Sequence, residues 1–134
     1  MSSAVTAVKN DVIAAIEANV GIAQTDLAQQ IGVELNFDRQ SLQLLDHFLS
    51  HSGGLDPETQ ESLVDIIGSF VGQLLVQQFD GRWVITQQQL AVQLNHGEAV
   101  LPFAAVLIQM AEPSPTQHQG QNHLEALYQR ADTA

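Results

Sequence analysis

Apolar residues recur three and four positions apart along most of the chain, which is the spacing of one face of an α-helix. Residues 3–18 show this spacing first and predict an amphipathic helix, with Gly21 as its stop signal. A short helix capped by Thr25 and ended by Gly32 is predicted next. The stretch 37–50 predicts a third helix, with its leucines on one face.

The stretch 56–79 predicts a long central helix. Asp56 suits the N-cap and Pro57 the first helical position. Apolar residues cover most of the circumference and leave only a narrow polar stripe, so neighbours should cover this helix on several sides. Gly68 and Gly72 lie one above the other beside that stripe. Because glycine costs ~1 kcal/mol in a helix interior, the pair predicts close packing against a strand or a partner helix.

Alternating positions replace the helical spacing after this helix. Gly81 suits the left-handed residue that ends it, and "RWVIT" and "LAVQL" predict two strands. "NHGE" is a turn, and a third short strand is expected around 98–101. Pro102 then begins a helix in "PFAAVLIQM". The whole pattern predicts an α+β fold, in which several helices, one of them central and largely buried, pack on a small antiparallel β-meander.

The C-terminal part reads as a linker and a short helix. Residues 112–121 are polar and contain two prolines, so we predict a single α+β domain over 1–111, a linker over 112–121 and a short helix within 122–134. Asn122 and Glu125 form a capping pair for that helix. It can dock on its own chain or on another chain, and we expect it to contribute to assembly more than to folding. Its candidate interaction residues are Leu124, Leu127 and Tyr128.

Composition and charge limit the classes of function. The chain has 15 acidic and four basic residues, a formal net charge of -11, and the four cations are scattered. That charge disfavours binding to nucleic acid and to anionic membranes. Cysteine is absent, which excludes disulfides and thiolate metal sites. The N-terminal residues lack the features of a signal peptide, and the longest apolar run, 99–108, is too short to span a bilayer. We therefore predict a cytoplasmic protein.

The candidate chemistry is sparse. His47 and His51 are four apart, as two ligands on one helical face would be, but Phe48 stands where a zincin has its glutamate. We expect surface or cap histidines, with no metal and no cofactor. Arg82 and Trp83 could line a pocket, although core packing of the tryptophan is the alternative. No catalytic constellation stands out, so we predict no catalytic residue.

A DNA-binding function is the weaker hypothesis. "TDLAQQIGV" is similar to the first half of a helix-turn-helix, and the later hairpin could serve as a wing. A recognition helix should carry basic and amide side chains, whereas "FDRQSLQLLDHFLS" offers one arginine and two aspartates.

The order of "FDRQSLQLLDHFLS", "GSFVGQLLVQQFDGRWV", "LAVQL" and "PFAAV" resembles a group of small bacterial domains of unknown function. These domains have a Leu-Asp helix, a Gly-x-x-x-Gly helix, a Gly-x-Trp hairpin and a Pro-Phe segment. The resemblance covers about residues 36–107 and implies a bacterial α+β domain without implying an activity. We therefore expect a non-enzymatic protein-binding domain that acts through homo-oligomerisation or through a protein partner. The alternatives are a small-molecule or metal-dependent enzyme and a helix-turn-helix-like DNA-binding regulator.

Overall fold

The computed structural model describes residues 6–111 and 122–132, which form an α+β fold of helices and one antiparallel four-stranded sheet. A long central helix packs on that sheet, as the sequence predicts. The helices are α1 (Asn10–Ile22), α2 (Ala28–Ile31), α3 (Arg39–Ser50), α4 (Pro57–Phe79), α5 (Pro102–Ala111) and α6 (His123–Asp132). The strands are β1 (Thr6–Ala7), β2 (Arg82–Thr86), β3 (Gln89–Gln93) and β4 (Ala99–Val100).

The N-terminal region differs from its prediction. Residues 6 and 7 form a strand rather than helix, with Ala7 opposite Val84 of β2. Helix α1 continues past Gly21 through a π-helical segment (Ala23–Leu27) into α2. Thr25 is therefore no N-cap, and its hydroxyl donates to the Gly21 carbonyl at 2.8 Å. The apolar face is buried on both sides of Gly21, and that burial offsets the low helix propensity of one glycine.

The caps of α3 and α4 follow from local sequence. Asp38 and Asp56 accept hydrogen bonds from backbone amides in the first turns of the two helices. The end of α4 differs by one residue from the prediction, because Asp80 rather than Gly81 takes the left-handed conformation, with φ 54°. Gly81 is needed for a close approach instead. A Cβ there would lie 2.9 Å from Val92 Cγ1, inside normal contact distance.

The sheet is a meander with strand order β1-β2-β3-β4. Trp83 of β2 lies opposite Val92 of β3, and Val92 lies opposite Val100 of β4. The face of the sheet that carries these three residues is therefore apolar. Gln87 and Gln88 connect β2 to β3 with φ values of 52° and 65°, the conformation of a type I′ turn. The sequence gives no signal for this turn, since glycine and asparagine usually fill such positions. The meander is predicted correctly, while its first strand is not.

Helix α4 lies at the centre of the core, where Ile67, Phe70 and Leu74 are fully buried. Among the described residues it is the one helix long and apolar enough to cross a membrane, with a mean hydropathy of 1.2 over the window concerned. In this fold 56% of that window is buried inside the chain. More than half of the window is therefore packed inside the fold, so length and composition alone are weak evidence for a membrane span.

Helix α6 packs against its own chain. Leu124 is fully buried and Leu127 is 7% exposed, and both belong to the core cluster that α4 centres. Tyr128 meets the ring of Phe79 edge-on, with centroids 5.0 Å apart. The burial changes the expectation for this helix, because apolar side chains that complete the core contribute to folding. The predicted linker 112–121 lies outside the described residues.

Candidate functional site

Helix α5 has an unusual distribution of polar and apolar side chains. It carries no charged residue, and Gln109 is the single polar side chain among its ten residues. That glutamine points inward and is 4% exposed, with its amide donating to the Asp46 carbonyl at 3.2 Å and accepting from the His123 amide at 2.8 Å. The polar side chain of α5 is thus buried, and apolar side chains remain to meet the solvent.

The outward side of α5 is an apolar strip. Leu107 is 55% exposed and Ile108 is 49% exposed, the highest values among the large hydrophobic residues that the structure describes. Ala104 and Ala111 extend the same face by one turn in each direction, at the spacing i, i+3, i+4, i+7. We call these four residues the outer strip of α5. It is ~10.5 Å long at 1.5 Å per residue.

A groove continues the outer strip at its N-terminal end. It has a volume of about 340 Å³ and shares Ala104 with the strip. Phe103 is half-buried at the groove, so a ligand side chain can reach its ring. We call this feature the Phe103 groove. Its lining residues are Asp65, Gln89, Leu90, Leu101, Phe103 and Ala104.

The two glycines of α4 hold the aromatic rings that support this surface. A Cβ at Gly68 would lie 2.9 Å from Phe103 Cγ and closer still to two other ring atoms. A Cβ at Gly72 would overlap the indole of Trp83 in the same way. The two rings are neighbours, with centroids 6.0 Å apart, and Trp83 Nε1 donates to Gln73 Oε1 at 3.2 Å. Both rings can approach the backbone of α4 this closely only because Gly68 and Gly72 have no side chain.

One acidic side chain lines the groove, and a second lies one turn away on the same face of α4. Asp65 lines the groove, and its position three residues before Gly68 places it on the helical face that meets Phe103. Glu61, one turn earlier, shares that face, and both residues are exposed. Three of the four basic residues are bound elsewhere in the structure. Arg39 binds Glu125, Arg82 binds Gln93 and Arg130 binds Glu98.

Comparison with protein-family models, curated proteins and solved structures finds no significant match.

The structure does not bring Arg82 and Trp83 together at one pocket. They are successive residues of β2, so their side chains point to opposite faces of the sheet. Trp83 is 8% exposed and packs on Gly72, while the guanidinium of Arg82 is exposed and donates to Gln93 Oε1 at 2.9 Å. Core packing, the alternative for Trp83, describes its environment.

His47 and His51 do lie side by side, at the exposed C-terminal end of α3. Their ring centroids are 4.6 Å apart, and His51 Nδ1 lies 2.9 Å from the His47 carbonyl oxygen. Within the ranges 6–111 and 122–132, no group of three or more His, Asp or Glu side chains is arranged to hold a metal ion. The geometry is that of histidines at a helix end.

The candidate interaction residues of the tail are enclosed by their own chain. Leu124 and Leu127 pack into the core, and the Tyr128 ring carries the Arg39 guanidinium at 5.7 Å from its centroid. A partner would reach the two leucines only after α6 had detached.

Asp46 is a functional candidate that the sequence patterns did not single out. Its fully buried carboxylate on α3 accepts hydrogen bonds from the amides of Leu124 at 2.9 Å and Glu125 at 3.0 Å, which begin α6. Burial raises the pKa of Asp46 to about 6, against the lowering effect of these two amides. A signal was present, since Asp46 lies on the apolar face of α3 with Leu42 and Leu49.

Proposed function

We propose that this chain is a non-enzymatic protein-binding domain whose binding surface is the outer strip of α5 together with the Phe103 groove. The observation that carries the proposal is the inverted pattern of α5, in which Gln109 is buried while Leu107 and Ile108 are about half exposed. A helix at the surface of a soluble domain normally turns its polar side outward. An exposed apolar face of this kind marks an interaction site when it is contiguous.

The energetics favour burial of this surface by a partner. Covering a large aliphatic side chain completely is worth ~1.5–3 kcal/mol, and Leu107 and Ile108 keep about half of that area exposed. The adjoining Phe103 groove adds a half-buried aromatic ring, and aromatic side chains often anchor protein interfaces. The partner is another protein or a second copy of the chain. We place the domain in the bacterial cytoplasm, in keeping with its lack of cysteine and its resemblance to small bacterial domains.

The two alternative functions have less structural support. His47 and His51 offer two imidazoles, whereas catalytic zinc sites commonly use three protein ligands. In the DNA-binding alternative α3 would be the recognition helix, but its arginine, Arg39, is held by Glu125 and Gln129 of α6. Neither arrangement supports its function as directly as the exposed apolar strip supports protein binding.

Site-directed photo-crosslinking tests the proposal. A photoreactive benzoylphenylalanine is introduced at position 108 in one sample and at position 22 in a matched control, since Ile22 is also exposed, at 38%, but lies on another helix. In a host extract, we expect a discrete cross-linked product at 108 and none at 22. An excess of unlabelled wild type should suppress the product, while Leu107→Ser should not. Equal products at both positions, or equal competition by Leu107→Ser, would show that the strip is not the binding surface.

A further inference from the structure

We infer that the outer strip of α5 and the Phe103 groove accept an amphipathic helix whose flanks carry lysine or arginine. This inference rests on the proposed function and adds the chemistry of the partner. Its basis is that the apolar strip continues into a groove that Asp65 lines, with Glu61 exposed one turn earlier on the same face of α4.

The shape of the surface fits a helix. The outer strip is straight because it follows one face of α5, and its length of ~10.5 Å equals two turns of a partner helix. Apolar side chains at i, i+4 and i+7 of that partner would meet Ala104, the adjacent Leu107 and Ile108, and Ala111 in turn. The Phe103 groove, at about 340 Å³, is large enough to take an anchoring side chain at one end.

The charge of the surface selects a basic flank. Asp65 is exposed and lines the groove, and Glu61 is exposed one turn earlier on the same face of α4. The chain as a whole carries a formal net charge of -11, so its field attracts cations over a longer range. Electrostatic steering of this kind raises association rates by about 10- to 1,000-fold at low ionic strength. An acidic or neutral helix would gain nothing from either feature.

Two other occupants fit less well. The chain's own residues 112–121, "EPSPTQHQGQ", contain no large aliphatic or aromatic side chain with which to cover Leu107 and Ile108. A second copy would bring the same acidic side chains, Glu61 and Asp65, and another net charge of -11 to the interface. Like charges opposed across an interface weaken binding, so the basic helix is favoured over both.

Synthetic peptides of about five helical turns test the inference. The probe peptide has leucines at i, i+4 and i+7 and lysines on the flanks. A second peptide has glutamate in place of lysine, and a third has the probe's composition in a sequence without helical amphipathicity. Binding to the full chain is measured by fluorescence anisotropy at two ionic strengths. We expect the probe to bind about tenfold or more tighter than either control peptide, with its affinity falling as salt is raised.

Variants of the chain locate the binding. Leu107→Ser with Ile108→Ser should weaken the probe by about tenfold or more, while Ile22→Ser should leave it unchanged. Glu61→Gln with Asp65→Asn should weaken it severalfold and reduce its salt dependence. Asp11→Asn with Glu17→Gln removes two exposed acids from α1 and controls for net charge, so it should have the smaller effect.

Each outcome decides one part of the inference. If the acidic peptide binds as tightly as the probe and still depends on Leu107, the surface is right and the basic partner is wrong. If the probe binds regardless of Leu107 and Ile108, both the surface and the partner are wrong. If light scattering shows a dimer that Leu107→Ser dissolves, a second copy is the occupant and the inference fails while the proposed surface stands. Absence of binding by every peptide overturns the inference, and the cross-linking experiment then tests the surface independently.

Discussion

The indole of Trp83 fills the space beside Gly72 that any larger residue would need for its side chain. The tryptophan comes from β2 and the glycine from α4, so this contact fixes the distance between the central helix and the sheet. One turn away Phe103 fills the corresponding space beside Gly68. The pair of contacts positions the start of α5, and with it the surface proposed to bind a partner.

Substitution of Gly72 should destabilise the fold. Gly72→Ala would force the buried indole of Trp83 to move, and such overpacking typically costs ~1–3 kcal/mol, with Gly72→Leu worse. Gly68→Ala should cost less, since the half-buried Phe103 ring can shift toward the groove. Gly21 is the matched control, because no neighbouring atom lies within 4 Å of its added Cβ, and alanine there should stabilise by up to ~1 kcal/mol. Urea midpoints measure all four variants. A higher midpoint for Gly72→Ala would contradict the packing role.

Asp46 should be required for docking of α6. Asp46→Ala leaves the amides of Leu124 and Glu125 without their acceptor, and a buried unsatisfied group costs ~1–3 kcal/mol. Asp46→Asn keeps an acceptor oxygen and should lose less. Hydrogen exchange of the α6 amides reports the local effect, with Asp56→Ala as a comparison that removes an exposed N-cap from another helix. Unchanged α6 protection in Asp46→Ala would show that the cap does not hold the helix.

The same carboxylate should make stability depend on pH. Because burial raises the pKa of Asp46 from 3.8 to about 6, the folded state binds a proton that the unfolded state releases. Its contribution to stability is complete below the unfolded value and is lost as the pH rises through about 6, by up to ~3 kcal/mol. The pKa of Glu125 is lowered from 4.5 by its hydrogen bonds to Gln43 and Arg39. Its contribution to stability is therefore present above pH 4.5 and is lost in more acidic solution. Urea midpoints between pH 5 and 7 should fall for the wild type and stay flatter for Asp46→Asn. Parallel curves would show that Asp46 does not titrate in this range.

The C-terminal helix should stabilise the monomer. Leu124 is fully buried, and replacing a buried leucine by alanine costs ~2–5 kcal/mol, whereas Leu107→Ala on the exposed strip should change stability little. Deletion of the residues after 112 should accordingly lower the urea midpoint. Its effect on the oligomeric state should be smaller. Light scattering and urea titration of the deletion decide between the two roles. A stable deletion variant that alters only assembly would support the expectation from the sequence.

The histidine pair should bind no structural metal. His47 and His51 sit at an exposed helix end with two imidazoles between them, and a stable zinc site needs further ligands in fixed positions. Elemental analysis of protein purified without a histidine tag should give far less than one metal per chain, and a chelator should leave the melting temperature unchanged. Stoichiometric metal that disappears in His47→Ala would reverse this conclusion.

Features encoded by neighbouring residues were predictable from the sequence. Asp56 and Pro57 mark the start of α4, since an N-cap needs only a side chain and an amide three residues on. Gly32 ends α2 with φ 87°, because glycine adopts that conformation without strain. The apolar periods of α3 and α4 and the alternation in β2 and β3 likewise set the α+β class before any tertiary contact is considered.

Tertiary structure decided the features that join distant parts of the chain. β1 exists because Ala7 pairs with Val84, and α6 is capped by Asp46 from 78 residues away, so no local window contains either signal. The glycines of α4 predicted a close neighbour, but only the fold identifies that neighbour as Trp83 at Gly72 and Phe103 at Gly68. The sequence of α5 is apolar except at Gln109, which by itself predicts burial of most of the helix. One face remains open because α3, α4, α6 and the sheet cover the other faces, and that coverage is a property of the assembled fold rather than of the helix.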